Sequence, residues 1–332
     1  MKTIARTSAG LLLIVALVVG CAQPQKKQVY RIGVLLSGDI RLEPLMGLKD
    51  GLEKLGYLEG EDIIFEVKNA GGDRGKLSEL ARAIVASQPD VAVAGGGIES
   101  DALKAATEGS DLPVVFLAVS SAVDRGLVES LRSSGNNLTG IETNDTQLTA
   151  KRLELITLMM PEAKRIHIVL VPSITPGVKS VEVAEQIAPA LGLELIIVPV
   201  ETEQEIRDAA ASISADEVDA MLILPQAPVW QVMKDVLCPV AIDQGIPIFG
   251  VNRQDLERGA IATYAGSRYT NGVQAARLVD KILRGARPAD IPVETPERLE
   301  FVINRHVADR LGIEIPDEIW GLADEVVDIE VR

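Results

Sequence analysis

The sequence contains few aromatic residues, cysteines or histidines. Phe, Trp and Tyr together make up 3% of the 332 residues, and there are two cysteines and two histidines. Two cysteines cannot form a disulfide framework or a four-thiolate zinc site. Two histidines leave little scope for histidine-based metal binding or for a catalytic triad. We therefore expect no metal site, no cofactor and no catalytic residue.

Positive charge is also scarce. Lys and Arg number 33 against 48 Asp and Glu, which gives a formal net charge of −15. Binding to a phosphate backbone needs clustered basic residues, so this balance argues against a nucleic-acid partner. Hydrophobic residues make up 47% of the chain, which excludes disorder. The length predicts two domains.

The N-terminus has the features of a secretory signal. Lys2 and Arg6 precede the uncharged run LLLIVALVV at 11–19, which is too short to span a bilayer and suits a signal peptide. The end of this run and the two residues after it, Leu-Val-Val-Gly-Cys at 17–21, resemble a bacterial lipobox in which Cys21 is diacylated, with palmitate or a similar chain. We predict a signal peptide at 1–20, a lipid-anchored tether at 21–28 and a location outside the cytoplasm, in the periplasm or at the cell surface.

The remaining chain alternates short apolar runs with helix-periodic segments. Leucines three and four residues apart, such as Leu45, Leu48 and Leu52, predict amphipathic helices. Several apolar runs lack alternation, which favours parallel strands covered on both faces and an α/β, doubly wound fold. We expect two five-stranded lobes that divide near residues 142–149. The predicted strands are 32–36, 63–67, 91–94, 114–119, 138–141, 166–171, 195–200, 220–224, 246–251 and 261–264.

Ligands of open α/β sheets bind beyond the carboxyl ends of the strands, so the residues there are candidates for a binding site. They are small and polar, and no nucleophile elbow or phosphate-binding loop accompanies them. The glycines at 95–97 could cradle an anion or form a tight turn, and Asp39 and Asp145 could face a ligand or cap a helix. The candidates are Ser37, Asp39, Asn69, Gly96, Gly97, Ile98, Ser100, Ser120, Ser121, Pro172, Ser173, Gln226, Asn252 and Arg253.

The remaining reactive side chains are predicted to be structural. Cys238 is interpreted as a buried core thiol, because a lone exposed thiol is unfavourable in an oxidising compartment. His167 lies inside a predicted strand and His306 inside a predicted helix, away from the strand ends.

Over residues 30–319 the chain resembles the ABC transporter substrate-binding protein family, which includes the tryptophan/tyrosine-type lipoprotein receptors. Individually the matching segments are weak motifs, and their order and spacing carry the resemblance. They are RIGVL at 31–35, GNNLTGIE at 135–142, GLELIIVPV at 192–200, VDAMLILP at 218–225 and IPIFGV at 246–251, with longer stretches at 51–73, 112–131, 151–166, 257–297 and 301–316.

The resemblance implies a type I periplasmic-binding-protein fold, with two Rossmann-like lobes joined by a three-crossing hinge. By this resemblance, lobe 1 comprises residues 29–142 plus about 254–288. Lobe 2 and the hinge comprise 143–253 plus about 289–332. The family captures a small molecule between the lobes and delivers it to ABC permease and ATPase subunits, and we expect a monomer.

The chain departs from the family pattern where the ligand would bind. At residues 251–254 the family has a Ser-Asp-containing loop, whereas this chain has Val-Asn-Arg-Gln. An acid that could hold an ammonium group is therefore replaced by Arg253. We hypothesise that Arg253 binds a ligand carboxylate together with Ser100, Ser120 and Ser121, so the ligand is an amino acid or another small carboxylate. The nearest aromatic candidates are Trp230, Tyr264 and Tyr269.

Two other functions are compatible with the same scaffold. The protein could be the ligand-sensing subunit of a membrane signalling receptor, since the fold does not distinguish import from sensing. An enzyme would need an acid–base pair in the cleft, for which Asp39, Glu99 and Asp145 are available. We predict a receptor and not an enzyme.

Overall fold

The structure is a computed structural model that describes residues 28–331, apart from the side chains of residues 227, 231, 233 and 234. The predicted signal peptide, Cys21 and the tether up to residue 27 lie outside the described residues. Within the described range, every helix is too short or too polar to cross a lipid bilayer.

Lobe 1 is built on a five-stranded parallel sheet of order β2-β1-β3-β4-β5. Both faces of β3 and β4 are fully buried, as expected for strands covered by helices on each side. The strands are β1 (Tyr30–Leu36), β2 (Ile63–Asn69), β3 (Val91–Ala94), β4 (Val114–Val119) and β5 (Leu138–Glu142), and the first helices are α1 (Leu42–Lys54), α2 (Leu77–Ala86) and α3 (Gly97–Ala106). Single 3-10 turns at Asp39–Arg41 and Arg74–Lys76 precede α1 and α2.

Lobe 2 is built on a seven-stranded sheet of order β12-β11-β10-β9-β8-β6-β7. The strands are β6 (Arg165–Leu170), β7 (Glu194–Pro199), β8 (Ala220–Leu222), β9 (Ile248–Gly250), β10 (Ala262–Ala265), β11 (Glu300–Asn304) and β12 (Glu325–Val327). The helices are α4 (Asp145–Met159), α5 (Thr175–Leu191), α6 (Glu203–Ala211), α7 (Ala227–Val232), α8 (Cys238–Asp243), α9 (Gln254–Arg258), α11 (Arg305–Leu311) and α12 (Asp317–Leu322). A π-helical turn at Met233–Leu237 joins α7 to α8.

The α/β prediction is confirmed, and all ten predicted strands are present as β1–β10. The expected five strands of lobe 2 are wrong, because β11 pairs antiparallel with β10 and β12 extends the sheet further. Strand β12 has only three residues, of which Glu325 is exposed and the two valines are partly buried. It is therefore too short to give a periodic signal in the sequence. The structural placements of Cys238, His167 and His306 are also confirmed, since they lie in the core, in β6 and in α11.

The chain passes between the lobes three times, and the second passage lies later than predicted. The first falls at residues 142–145, between β5 and α4. The predicted return to lobe 1 after Arg253 is wrong, because β10 is hydrogen-bonded to β9 and β11 and therefore keeps residues 254–265 in lobe 2. The return instead follows Ala265 and leads into α10 (Arg268–Leu283).

The third passage also differs from the expected boundary at about residue 289. A 3-10 turn at Pro288–Asp290 is followed by Ile291 and Val293, whose side chains are buried in the lobe 1 cores. The Glu142 N–H then donates to the Glu294 carbonyl at 2.8 Å, beside β5. The chain therefore leaves lobe 1 only after Glu294 and reaches β11 at Glu300.

Helix α10 is held tightly against α1. Gly47 of α1 faces the Tyr269 carbonyl, and Gly272 of α10 faces the Pro44 carbonyl, so closely that a Cβ at either glycine would overlap backbone atoms. The two glycines let the helices approach at backbone distance. This packing fixes the first turn of α10, which begins at the hinge between the lobes.

Candidate functional site

A cavity of about 450 Å³ lies between the lobes, at the carboxyl ends of the strands. This volume is within the range of small-molecule sites, and the position is the one expected for an open α/β sheet. Six residues predicted from the sequence line it: Ser37, Gly97, Ile98, Ser120, Gln226 and Asn252.

The other predicted residues lie outside the cavity lining, and several of their side chains are hydrogen-bonded to other protein groups. The Ser100 hydroxyl donates to the Gly96 carbonyl at 2.7 Å, within the first turn of α3. The Ser121 hydroxyl pairs with Thr146 at 2.8 Å. Asn69 donates a hydrogen bond to Asp39 at the surface of lobe 1, and Pro172 and Ser173 are exposed. Gly96 also lies outside the lining.

Arg253 does not reach the cavity, which corrects the hypothesis that it binds the ligand carboxylate. Its guanidinium forms two parallel bonds to Glu325 of β12, at 2.6 and 2.7 Å, on an exposed surface. The pair raises the pKa of Arg253 and lowers the pKa of Glu325. Glu325 belongs to β12, the edge strand of the lobe 2 sheet, which the sequence did not predict. The ion pair with this strand directs the Arg253 side chain away from the cavity.

In the lobe 1 wall, two arginine side chains pack against the backbone of Gly96 and Gly97. The Arg41 guanidinium lies so close to Gly96 that a Cβ there would overlap it, and the Arg125 guanidinium would lie 3.0 Å from a Cβ at Gly97. Both arginines line the cavity. The glycine run is therefore neither a simple turn nor a bare anion cradle, because guanidinium groups already cover it.

Glu99 holds Arg41 in place from behind the wall. This fully buried carboxylate accepts from Arg41 Nε at 3.1 Å and from the Ser37 N–H at 2.8 Å. Burial by itself raises the pKa of Glu99, but the Arg41 charge and the N–H donor outweigh it and leave the pKa below its usual value. Glu99 is thus a charged structural brace.

The lobe 2 wall contains the aromatic surface of the cavity. Trp230 lines the cavity, and the Arg258 guanidinium lies 3.6 Å from the centre of its ring. Asp255 is fully buried and accepts from the Val251 and Asn252 N–H groups at 2.8 and 3.1 Å and from the Trp230 indole. Burial raises the pKa of Asp255 despite these bonds.

Asp145 supplies the carboxylate at the hinge. Its Oδ2 accepts from Ser120 at 2.9 Å and from Thr143 at 2.7 Å, and its Oδ1 accepts from Arg152 Nη2 at 2.6 Å. Arg152 is fully buried and also donates to the Tyr264 carbonyl at 3.0 Å. Asp145 therefore lies in the cavity lining with its charge already compensated.

Several buried polar groups of the lining have no hydrogen-bond partner among the described residues. They are Arg268 Nη1, both amide atoms of Asn271, Asn252 Oδ1 and Arg125 Nε, although the Arg125 guanidinium is paired with Asp101 through Nη2. Arg268 and Asn271 lie in the first turn of α10, just after β10. Sequence reasoning missed both, although the rule used for the other strand ends applies equally to the end of the tenth strand.

Of the three aromatic candidates, the structure brings only Trp230 to the cavity lining. Tyr264 lies in β10 and packs against the lobe 2 core. The Tyr269 hydroxyl donates to Asp50 of α1 at 2.5 Å. Within residues 28–331 no cluster of His, Cys, Asp or Glu is arranged to hold a metal ion.

Comparison with known proteins gives consistent relatives. A curated tyrosine-binding protein of Clostridioides difficile (strain R20291) is 27% identical over 268 residues, which cover 81% of this chain and 76% of the relative. A conserved domain protein of Vibrio cholerae superposes with a TM-score of 0.81 at 29% identity, covering 91% of this chain and all of that structure. An ABC domain of Streptococcus pneumoniae in complex with L-Trp gives 0.82 at 26% identity, covering 90% and 100%.

The family model for ABC transporter substrate binding proteins matches residues 30–327. The two lobes and the relatives identify the type I periplasmic-binding-protein fold. Substrate-binding proteins of ABC importers work outside the cytoplasm, and they are receptors and not enzymes. This chain belongs to the ABC transporter substrate-binding protein family.

Proposed function

We propose that this protein is a monomeric, lipid-anchored receptor that captures a small carboxylate-bearing molecule and delivers it to an ABC permease and ATPase. The observation that carries the proposal is the set of buried, unpartnered polar atoms of Arg268, Asn271 and Asn252 in the cavity lining. Buried polar groups are almost always hydrogen-bonded, so these atoms call for a bound partner.

The charges of the cavity support a ligand with a carboxylate. The guanidinium groups of Arg41, Arg125, Arg258 and Arg268 all line it, and guanidinium binds carboxylate with directed, charge-assisted hydrogen bonds. The curated relative is named a tyrosine-binding protein, and the S. pneumoniae structure contains L-Trp. Both of those ligands carry a carboxylate, and an amino acid or another small carboxylate is the ligand class we assign here. Closure of the lobes would bury it.

Ligand binding is tested by thermal shift and calorimetry on the mature protein, unfolded and refolded to remove any retained ligand. We expect an amino acid or small carboxylate to stabilise it, by about 2.7 kcal/mol at 100 times its Kd. Asn271→Ala should weaken binding at least tenfold, because Asn271 lines the cavity and both of its amide atoms are buried without a protein partner. Asn69→Ala, at an exposed position outside the lining, is the matched control and should bind normally. If no amino acid or carboxylate binds, the proposed function is wrong.

The lipid anchor is supported by the lipobox-like sequence that ends at Cys21 and by the short polar segment that follows it. We expect the protein to partition into detergent and to incorporate labelled palmitate when expressed in bacteria. Cys21→Ala should abolish both. Cys238→Ala should retain both, because Cys238 is buried in lobe 2 and burial raises the pKa of its thiol. Palmitate labelling of Cys21→Ala equal to that of the unaltered protein would refute the anchor.

A further inference from the structure

The charges that face the cleft do not balance. Among the described residues that line the cavity, five are arginines and one, Asp145, is a carboxylate. Three of the arginines have a carboxylate of their own in the wall: Arg41 with Glu99, Arg125 with Asp101, and Arg258 with Asp255. Arg74 and Arg268 remain, and neither forms an ion pair with a described residue, so they carry the excess of positive charge.

Asp145 has no negative charge to spare for a ligand ammonium group. Its ion pair with Arg152 is direct, at 2.6 Å, and Arg152 is fully buried with no access to solvent counterions. A carboxylate offers about four acceptor sites, and the protein fills three of them through Arg152, Ser120 and Thr143. The hinge acid is therefore compensated before any ligand arrives.

Arg268 is the opposite case. Its Nη1 is buried without a hydrogen-bond partner, and within residues 28–331 it forms no ion pair. The nearest aromatic ring is Trp230, whose centre lies 5.9 Å from Arg268 Cζ. Burial, followed by repulsion from Arg41, lowers the pKa of Arg268 to about 10 against the attraction of the more distant Asp255, Asp145 and Glu43, so the guanidinium remains charged at neutral pH. A buried cation without a partner is costly unless an anion joins it.

We propose that the ligand of this cleft is a small organic anion with a net negative charge, and that Arg268 binds its carboxylate. This inference rests on the proposed receptor function and narrows its ligand class. Asn271 and Asn252 supply hydrogen bonds beside Arg268, and Trp230 supplies the adjacent apolar surface. Among the described lining residues, Arg74 and Arg268 have no ion-pair partner and the one carboxylate, Asp145, is paired, so a carboxylate without a compensating ammonium group fits the cleft better than a zwitterion does.

Matched pairs of probes test the sign of the ligand charge. Calorimetry on the refolded mature protein compares L-tyrosine with 3-(4-hydroxyphenyl)propanoate, L-tryptophan with indole-3-propanoate, and L-leucine with 4-methylpentanoate. Within a pair the carbon skeleton is the same, and removal of the ammonium group makes the molecule more negative by one charge. We expect the member without the ammonium group to bind at least tenfold tighter in at least one pair.

The opposite result separates the two proposals. If the amino acid binds as tightly as its partner, or tighter, in every pair that binds, the net-anion inference is overturned and the carboxylate receptor stands. If none of the six probes binds, the net-anion inference is overturned, and failure of the wider carboxylate panel would then overturn the receptor function as well.

Variants of Arg268 test its role directly. Arg268→Gln should weaken binding of the best anionic probe at least tenfold, and Arg268→Lys should recover part of it because the charge is retained. Arg253→Gln removes an arginine that is paired with Glu325 outside the cavity, so its affinity should be unchanged. Without ligand, Arg268→Gln should melt no lower than the unaltered protein, since it removes an unpaired buried charge. Unchanged affinity in Arg268→Gln would overturn the assignment.

Discussion

The two walls of the cleft present an arginine in similar ways but brace it differently. In lobe 1, Arg41 bonds Glu99 directly at 3.1 Å, and the pKa of Glu99 is lowered. In lobe 2, Arg258 Nη1 lies 4.0 Å from Asp255, whose oxygens accept from backbone and indole N–H groups, and its pKa is raised. A direct ion pair outweighs the cost of burial, whereas neutral donors and a more distant cation do not.

The hinge shows a third arrangement. There the carboxylate of Asp145 faces the cavity and the arginine, Arg152, lies buried behind it. Arg268 has no direct ion pair with a described residue, and its buried Nη1 has no hydrogen-bond partner. Paired groups form the fixed walls, and the unpaired group is the one left to bind.

The largest expected effect on stability is at Asp255, the buried carboxylate beside Arg258 in the lobe 2 wall. Asp255→Asn keeps the shape but turns one acceptor into a donor, which then opposes either the Trp230 indole or the N–H groups of Val251 and Asn252. A buried donor without an acceptor costs about 1–3 kcal/mol, so we expect about 2 kcal/mol lower unfolding free energy, measured by urea denaturation. Asp243→Asn, at an exposed position on α8, is the control and should change stability little. A neutral Asp255→Asn would show that the carboxylate is not needed as an acceptor.

A smaller effect on stability is expected at Glu99, the buried carboxylate that pairs with Arg41 in the lobe 1 wall. Glu99→Gln can keep its carbonyl oxygen where Oε1 accepts from Ser37 and Arg41, and can place its amino group where Oε2 has no partner. Only the charge is lost, so we expect about 1 kcal/mol lower stability at neutral pH. A loss larger than that of Asp255→Asn would reverse the order that the hydrogen bonds predict.

The contributions of Glu99 and Asp255 to stability should change in opposite directions as the pH falls. The pKa of Glu99 is lowered on folding, so its stabilisation is complete above about pH 5 and is lost as the pH falls through the lowered value. The difference in unfolding free energy between the unaltered protein and Glu99→Gln should therefore shrink below about pH 4.5. The pKa of Asp255 is raised, so its burial destabilises the fold at neutral pH and is relieved on acidification. Denaturation curves from pH 7 to pH 4 measure both trends.

The sequence predicted the strands well because most of them are apolar runs buried on both faces. The boundary of lobe 2 that the family resemblance implied is wrong, because pairing with β9 and β11 keeps β10 in lobe 2 and strand pairing is not visible in the sequence. The candidate site was found in part. Ser37, Ser120 and Asn252 reach the cavity, whereas Ser100 bonds the Gly96 carbonyl within its own helical turn and Ser121 pairs with Thr146, 25 residues away.

By itself, the sequence determined the α/β alternation, the position of the cleft at the strand ends and the resemblance to the family. These depend on local periodicity and on motif order, which are properties of neighbouring residues. Only the tertiary structure decided that Arg268 lines the cavity and that Arg253 does not. Arg253 and Arg268 both follow a strand, but Glu325, 72 residues away, draws one to the surface, while packing of α10 on α1 holds the other over the cavity without a partner. Contacts so distant in the chain leave no periodic pattern, and they determine where the site's charge lies.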